Sequence, residues 1–221
     1  MKIIEPTIQV EKVDYKQVMK NLERACRTCY RSEGKITEES YKTLLKNCIN
    51  RGHESILEHE KVTIRMLCDI GVYKDLTRHR IASFSIESTR YCNYGKDKFD
   101  NQIKFIKPVN MEEGTELYNK WYDTCKIIEQ NYIEMSKLEA TPDQLRMMLP
   151  HSTAAEVTMT ANIREWKHIF SLRCTKHTHP AVEQLMIPLL LKFKKEMPEI
   201  FDNVEYDKEF DSAKYAKITE I

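Results

Sequence analysis

Apolar residues recur along the chain at two periods, and the alternation between them divides it into elements. Val18, Met19, Leu22, Ala25, Cys26 and Cys29 fall three and four apart, which lays one apolar stripe along a helix over residues 14–30 with Asp14 near its start. Gly34 breaks that pattern. A second helix is expected to open at Thr37, an N-cap type followed by Glu38 and Glu39, to run through Tyr41, Leu44, Leu45, Cys48 and Ile49, and to stop at Gly52. The two helices are expected to pack antiparallel. Residues 61–69 alternate instead, with Val62, Ile64, Met66 and Cys68 on one face and Thr63, Arg65, Leu67 and Asp69 on the other, as in a half-buried strand ended by Gly71. Residues 155–162 alternate in the same way through Val157, Met159 and Ala161 to Asn162. Residues 2–10 read as a strand that Pro6 pushes toward a sheet edge, and Ile103, Phe105 and Ile106 make another, ended by Pro108.

The longest helical pattern runs from Glu112 to Lys137 through Leu117, Trp121, Cys125, Ile128, Tyr132 and Met135. Its aromatics recur at helical spacing and read as core, not as a base-stacking ladder. Val72 to Thr77 reads as a short helix leading into Arg78, which would put Asp75 and His79 on one face, where a carboxylate orients an imidazole and favours its charged form. Cys92 to Asn101 is turn-rich and reads as an exposed loop. Thr141-Pro142 restarts a short helix as N-cap and first helical residue, ending by Pro150. Asn162 opens a helix on which Arg164, His168 and Ser171 share one face, a solvated stripe or a site. After His177-Thr178-His179-Pro180 comes a helix with Val182, Leu185, Met186, Leu189 and Leu190, and the tail from Met197 reads as surface-packed or partly disordered. No internal repeat interrupts the series. The expectation is a single α+β domain over residues 1–221, mixed helices around an antiparallel or mixed sheet, with 197–221 loosely ordered.

Composition narrows the function classes. A chain of 221 residues with 41% hydrophobic content can bury one substantial core. Lys+Arg 35 against Asp+Glu 34 leaves a net charge of +1, so no global electrostatic case exists for nucleic acid or an anionic membrane. No apolar run approaches the roughly 20 residues of a membrane span, and the start lacks the apolar core of a signal peptide, so a cytoplasmic protein is expected. Seven cysteines, an odd number, fit reduced thiols. Cys26 and Cys29 form a CxxC inside a helical pattern, which favours packing over zinc or redox chemistry. His53 and His59 are not spaced to share a helix face, and no metal is expected.

The densest chemistry lies in Arg78-His79-Arg80-Ile81-Ala82-Ser83-Phe84-Ser85-Ile86-Glu87-Ser88-Thr89-Arg90-Tyr91. Guanidinium forks beside hydroxyls make an anion site built from side chains, since neither GxxxxGK[ST] nor GxGxxG is present. The order of residues resembles the signature of flavin-dependent thymidylate synthases, RHRxxSxxxxSxRY, at Arg78, His79, Arg80, Ser83, Ser88, Arg90 and Tyr91. Many members have Asn-Glu where this chain has Ser85-Ile86, and the acid here is Glu87. Three further segments resemble that family: Gly52-His53-Glu54-Ser55-Ile56-Leu57-Glu58-His59 its GHExxxEH, Leu145 to Pro150 its ARxxLP, and Asn162 to Arg173 its NxRxxxxFxxLR at Asn162, Arg164, Leu172 and Arg173.

The resemblance implies reductive methylation of dUMP to dTMP, with the carbon from methylenetetrahydrofolate and the hydride from NAD(P)H by way of FAD. It implies a homotetramer with flavin sites between subunits. Cofactor contacts would fall on Ser55, Arg78, His79, Arg80, Asn162, Arg164 and His168, the last standing where Asn is usual. Substrate contacts would fall on Asp75, Arg78, Glu87, Ser88, Thr89, Arg90, Arg146 and Arg173, with Gln often at the place of Asp75. His53 and Arg173 would serve the chemistry itself: Arg173 by placing positive charge near N3 and O2 of the base, His53 beside the flavin and folate site. No covalent protein nucleophile is implied. Two other readings stay open, a hydroxymethylating flavin-dependent relative and a nucleotide-binding protein without turnover.

Overall fold

The computed structural model describes every residue, Met1–Ile221, and is an α+β protein. Its main sheet has five strands in the order β4 (Ala82–Ile86), β6 (Ala154–Asn162), β3 (Lys61–Asp69), β2 (Thr7–Val10) and β7 (Lys217–Glu220). The centre is the antiparallel pair β3 and β6, in register from Lys61 opposite Asn162 to Asp69 opposite Ala154. Alternation drives both strands. Val62, Ile64, Met66 and Cys68 of β3 are buried with Val157, Met159 and Ala161 of β6, while Thr63 and Thr160 on the other face share a hydroxyl hydrogen bond of 2.8 Å.

Against the buried face pack α6 (Ile163–Arg173), α7 (Pro180–Glu196) and α8 (Pro198–Phe201), joined by α1 (Tyr15–Thr28), α2 (Ser40–Asn50) and α3 (Ile70–Leu76). Trp166, Phe170, Phe193 and Phe201 form a fully buried aromatic group with ring centroids 5.3 to 5.9 Å apart, mostly edge to face, as ring quadrupoles prefer. The Trp166 indole N–H donates to the Val62 carbonyl at 3.1 Å, tying α6 to β3. A smaller core joins Tyr94, Ile103, Phe105, Cys125, Tyr132 and Leu145, where the parallel pair β1 (Lys2–Ile4) and β5 (Lys104–Ile106) meets α4 (Glu116–Lys137) and α5 (Pro142–Leu145). No helix is long and apolar enough to cross a membrane.

Several expectations change. Pro6 splits the first strand into β1 and β2, which join different sheets; β2 lies inside the main sheet and β7 takes the edge. Pro6 falls in the gap, where its missing N–H costs no ladder bond. The second helix starts at Ser40, not after Thr37, whose backbone N–H donates to the Ser40 hydroxyl instead. Gly71 lies within α3 rather than closing β3, because the Asp69 side chain caps the helix at the Val72 N–H. The Glu112–Lys137 helix starts only at Glu116, capped by Thr115; Cys125 and Tyr132 of its stripe are buried in the smaller core and Trp121 and Met135 pack against it, whereas Leu117 is exposed. Within the expected exposed loop, Asn93 and Tyr94 are buried. Cys29 is exposed, so only Cys26 of the CxxC packs inside. The tail places Met197, Ile200 and Phe201 in the core and ends as β7, parallel to β2.

Phe193 touches Trp166, Phe170 and Phe201 with no exposed surface. Phe193→Ala is expected to cost about 3–5 kcal/mol, read as a lower urea midpoint at unchanged slope; a loss under about 1 kcal/mol would contradict this packing.

Candidate functional site

β6 runs into α6 without a loop. The Asn162 side chain accepts the Glu165 N–H at 2.8 Å, capping the helix at its first turn. That turn directs Glu165 inward and leaves Arg164 and His168 exposed, with Arg173 half-buried in the last turn. Facing α6 is the segment Arg78–Ile81, delivered by the end of α3 and the start of β4.

His79 joins the two. It is 5% exposed, with Nδ1 3.2 Å from Glu165 Oε1, and its Nε2 accepts from Arg173 Nε at 3.0 Å. Arg173 Nη2 donates to the Asp75 carbonyl at 2.9 Å. Burial lowers the His79 pKa to about 4, aided by the charges of Arg173 and His168, while burial raises that of Glu165. The imidazole is therefore neutral near pH 7, and its contact with Glu165 is a hydrogen bond from Nδ1–H to a carboxylate, not an ion pair. This fixes the tautomer that leaves Nε2 free to accept from Arg173. The expected Asp75–His79 pairing is absent because α3 ends at Leu76 and the chain turns before His79; Asp75 contributes its backbone carbonyl, and the imidazole is held neutral instead of charged.

These residues line a cleft of about 1020 Å³. Arg78, Arg80, Arg164, Lys167 and Arg173 supply positive charge. Glu58 holds Arg164 and Glu54 holds Lys167, whereas neither Arg78 nor Arg80 forms an ion pair and both are exposed. Two open guanidiniums on a short segment fit an anionic group such as a pyrophosphate. His79, Glu165 and His168 also bring ligating atoms within 4.8 Å of one another. With both His79 nitrogens engaged and the Arg173 guanidinium against one of them, that cluster opposes a cation.

The cleft thus gathers Arg78, His79, Arg80, Asn162, Arg164, His168 and Arg173. It does not include His53 and Ser55, both exposed, His53 just before the turn Ser55–His59 and Ser55 opening it. Arg90 and Arg146 form a second group around Asp143, with Arg90 Nε 3.7 Å and Arg146 Nε 3.5 Å from one carboxylate oxygen; Ser88 joins it through the Arg90 backbone, whose N–H donates to Ser88 Oγ at 3.3 Å, and Thr89 sits between them, half-buried. Glu87 accepts from the Tyr94 hydroxyl at 2.9 Å and the Glu156 N–H at 3.2 Å, a fixed strut between β4 and the loop behind it. Sequence reasoning passed over Glu165, Lys167 and the wall Asn203–Glu205. Glu165 carried a usable signal as the acid three residues after a capping Asn; the others carried none.

Comparison with known proteins gives one consistent result. The family model described as thymidylate synthase complementing protein matches residues 13–199. A flavin-dependent thymidylate synthase of Pyrococcus abyssi is 30% identical over 162 residues, covering 73% of this chain and 66% of the relative, and one of Thermococcus onnurineus is 29% identical, covering 73% and 65%. The chain thus spans just under two thirds of the length of these relatives. A further flavin-dependent thymidylate synthase, from Corynebacterium efficiens, is 25% identical over 84% of this chain and 79% of its own. Among solved structures, a UMP/dUMP methylase PolB of Streptomyces cacaoi bound with 5-Br dUMP superimposes with a TM-score of 0.72 at 20% identity, over 91% of this chain and 96% of that one, a likeness of fold.

The His79 titration has a defined sign. Its folded pKa of about 4 lies below the ordinary value of 6.5, so the unfolded chain binds the extra proton between those values and stability falls as pH drops from 6.5 toward 4. The raised Glu165 contributes in the opposite sense, its share being lost as pH rises above the ordinary carboxylate value. Arg173→Met is expected to raise the His79 pKa, measured by imidazole NMR shifts; an unchanged titration would show that the guanidinium does not act on the ring.

Proposed function

The chain belongs to the thymidylate synthase complementing protein family, and on that premise we propose that it is a flavin-dependent thymidylate synthase, methylating dUMP to dTMP with FAD, methylenetetrahydrofolate and NAD(P)H. The observation that carries the reading is the hydrogen-bonded chain from Glu165 through His79 to Arg173, which fixes one guanidinium in a cleft with two open ones, Arg78 and Arg80.

The chemistry follows from these groups. Methyl transfer to C5 of uracil requires electron density at that carbon, and no cysteine lines the cleft to raise it by addition. Arg173 has Nε and Nη2 engaged by protein, which leaves Nη1 to face N3 and O2 of the base. A fixed positive charge there favours the N3-deprotonated ring and pushes density toward C5. Arg78 and Arg80 hold phosphate oxygens of the nucleotides. The flavin, when bound, supplies the hydride chemistry.

Ser88, Arg90 and Arg146 gather outside the cleft, and beside the two groups Ile81 is 70%, Tyr91 78% and Leu172 49% exposed. Exposed apolar side chains flanking two halves of an anion site support completion of each site by a second copy, with the substrate phosphate on Ser88, Arg90 and Arg146 of one subunit and the base at Arg173 of another. His53 and Ser55, on the turn beside Glu54, then face the flavin and folate from the rim. A cytoplasmic homotetramer accommodates this arrangement.

The test is an anaerobic absorbance titration. Flavin bands that bleach with NADPH and recover only with dUMP and methylenetetrahydrofolate, with dTMP identified by mass, are expected. A protein that cannot take up FAD, or a product other than dTMP, would overturn the proposal. Arg173→Ala should lower kcat/KM by about 10²-fold or more, whereas Arg65→Ala, on an exposed strand face away from the cleft, should leave it unchanged.

A further inference from the structure

A second cleft, of about 1030 Å³, shares no lining residue with the first. Its walls are the corner Glu5–Thr7, the loop Lys107–Glu113 between β5 and α4, Gln184 of α7, and Ala213–Lys217 at the start of β7. The corner and the Ala213–Lys217 wall both lie outside the family match at 13–199.

Gln184 is its unusual member. It is 5% exposed in a helix turn whose neighbours Val182, Leu185 and Met186 are buried and apolar. Its backbone carbonyl accepts the Ala216 N–H at 2.9 Å, which pins the tail across α7. Its side-chain amide has no protein partner and lines the cleft. Open to the cleft and unbonded within the protein, this primary amide presents an acceptor and donors side by side, matched to the edge of a lactam. Pro6, Pro108, Val109 and Tyr215 give apolar wall for a flat ring.

The charges at the rim choose the other end of such a ligand. Lys107 is taken by Glu113 at 2.9 Å and Glu5 at 3.6 Å, and Glu112 is the remaining carboxylate on the loop. Lys214 and Lys217, on the tail wall, form no ion pair and are exposed. We propose that this cleft binds a small planar lactam bearing a phosphate or carboxylate, with the lactam edge on the Gln184 amide and the anion on Lys214 and Lys217.

Amide hydrogen exchange of the full chain, followed by mass spectrometry, locates and tests such binding. The probes are UMP, orotate as a carboxylated lactam, uridine and inorganic phosphate. Saturable protection of 107–113 and 213–220 by UMP is expected if the anion is a phosphate and by orotate if it is a carboxylate, with uridine and phosphate weak. Lys214→Glu with Lys217→Glu, both at exposed positions, should raise the half-saturating concentration about tenfold, and Gln184→Leu should do the same while leaving 78–81 and 162–173 unchanged. Protection confined to 78–81 and 162–173 would place UMP in the first cleft alone and overturn the proposal. So would no protection, variants that bind as the parent does, or phosphate alone reproducing the full effect, the mark of an adventitious ion only. Because the two clefts report on different peptides, failure here is separable from failure of the synthase reading.

Discussion

The antiparallel ladder between β3 and β6 is the constraint on which the site depends. Its register sets Lys61 opposite Asn162, so the turn Ser55–His59 before β3 and the first turn of α6 after β6 arrive at the same end of the sheet. Arg164 then meets Glu58, and Lys167 meets Glu54. The Arg164–Glu58 pair is exposed and contributes little, roughly 0–1 kcal/mol, and the part-buried Lys167–Glu54 pair forms only once the two turns are already side by side, so both follow from the register and do not set it. What holds the register is burial: a slip by one residue would turn Val62, Ile64 and Met66 outward and carry Thr63 and Arg65 into the core.

A third strand completes the arrangement. β4 pairs with β6 from Ala82 opposite Ala161 to Ile86 opposite Val157, which sets the preceding Arg78–Ile81 beside α6. The contact between His79 and Arg173 thus joins residues far apart in the chain, with two strand ladders and the Trp166 anchor on Val62 between them. The cleft is accordingly a property of the whole sheet; loosening β6 would part the Arg78–Ile81 segment from α6.

Much of this was legible in the chain, and the failures share a cause. β3, β6, α1 and α7 announce themselves because each carries one clean period over a full element. β4 and β7 do not, since short strands of mixed burial look like polar loop, and the stripe of α4 reads as core throughout although Leu117 at its start is 61% exposed. Periodicity reports that a face is apolar, not what covers it. At the site, the arginines stand out as motifs, whereas Glu165 shows in the sequence only as an acid after a capping Asn, and its pairing with His79 does not, because that partner is chosen by strand register. Asp75 looked like the partner of His79 by helical spacing, and the helix ended first.

The order of groups in the chain Glu165, His79, Arg173 has an electrostatic consequence. A carboxylate in direct contact with Arg173 would orient it and also neutralise it, leaving little field for a substrate. Placing a neutral imidazole between them separates these effects. Glu165 fixes the imidazole tautomer, the imidazole fixes the guanidinium through Nε, and the Asp75 carbonyl fixes it through Nη2. No anionic group touches Arg173 in that sequence, so its charge stays available at Nη1. Burial of His79 serves the same end: a protonated ring would lose its acceptor at Nε2 and repel the guanidinium, so the low pKa of the ring is the condition under which Arg173 can be both held and charged.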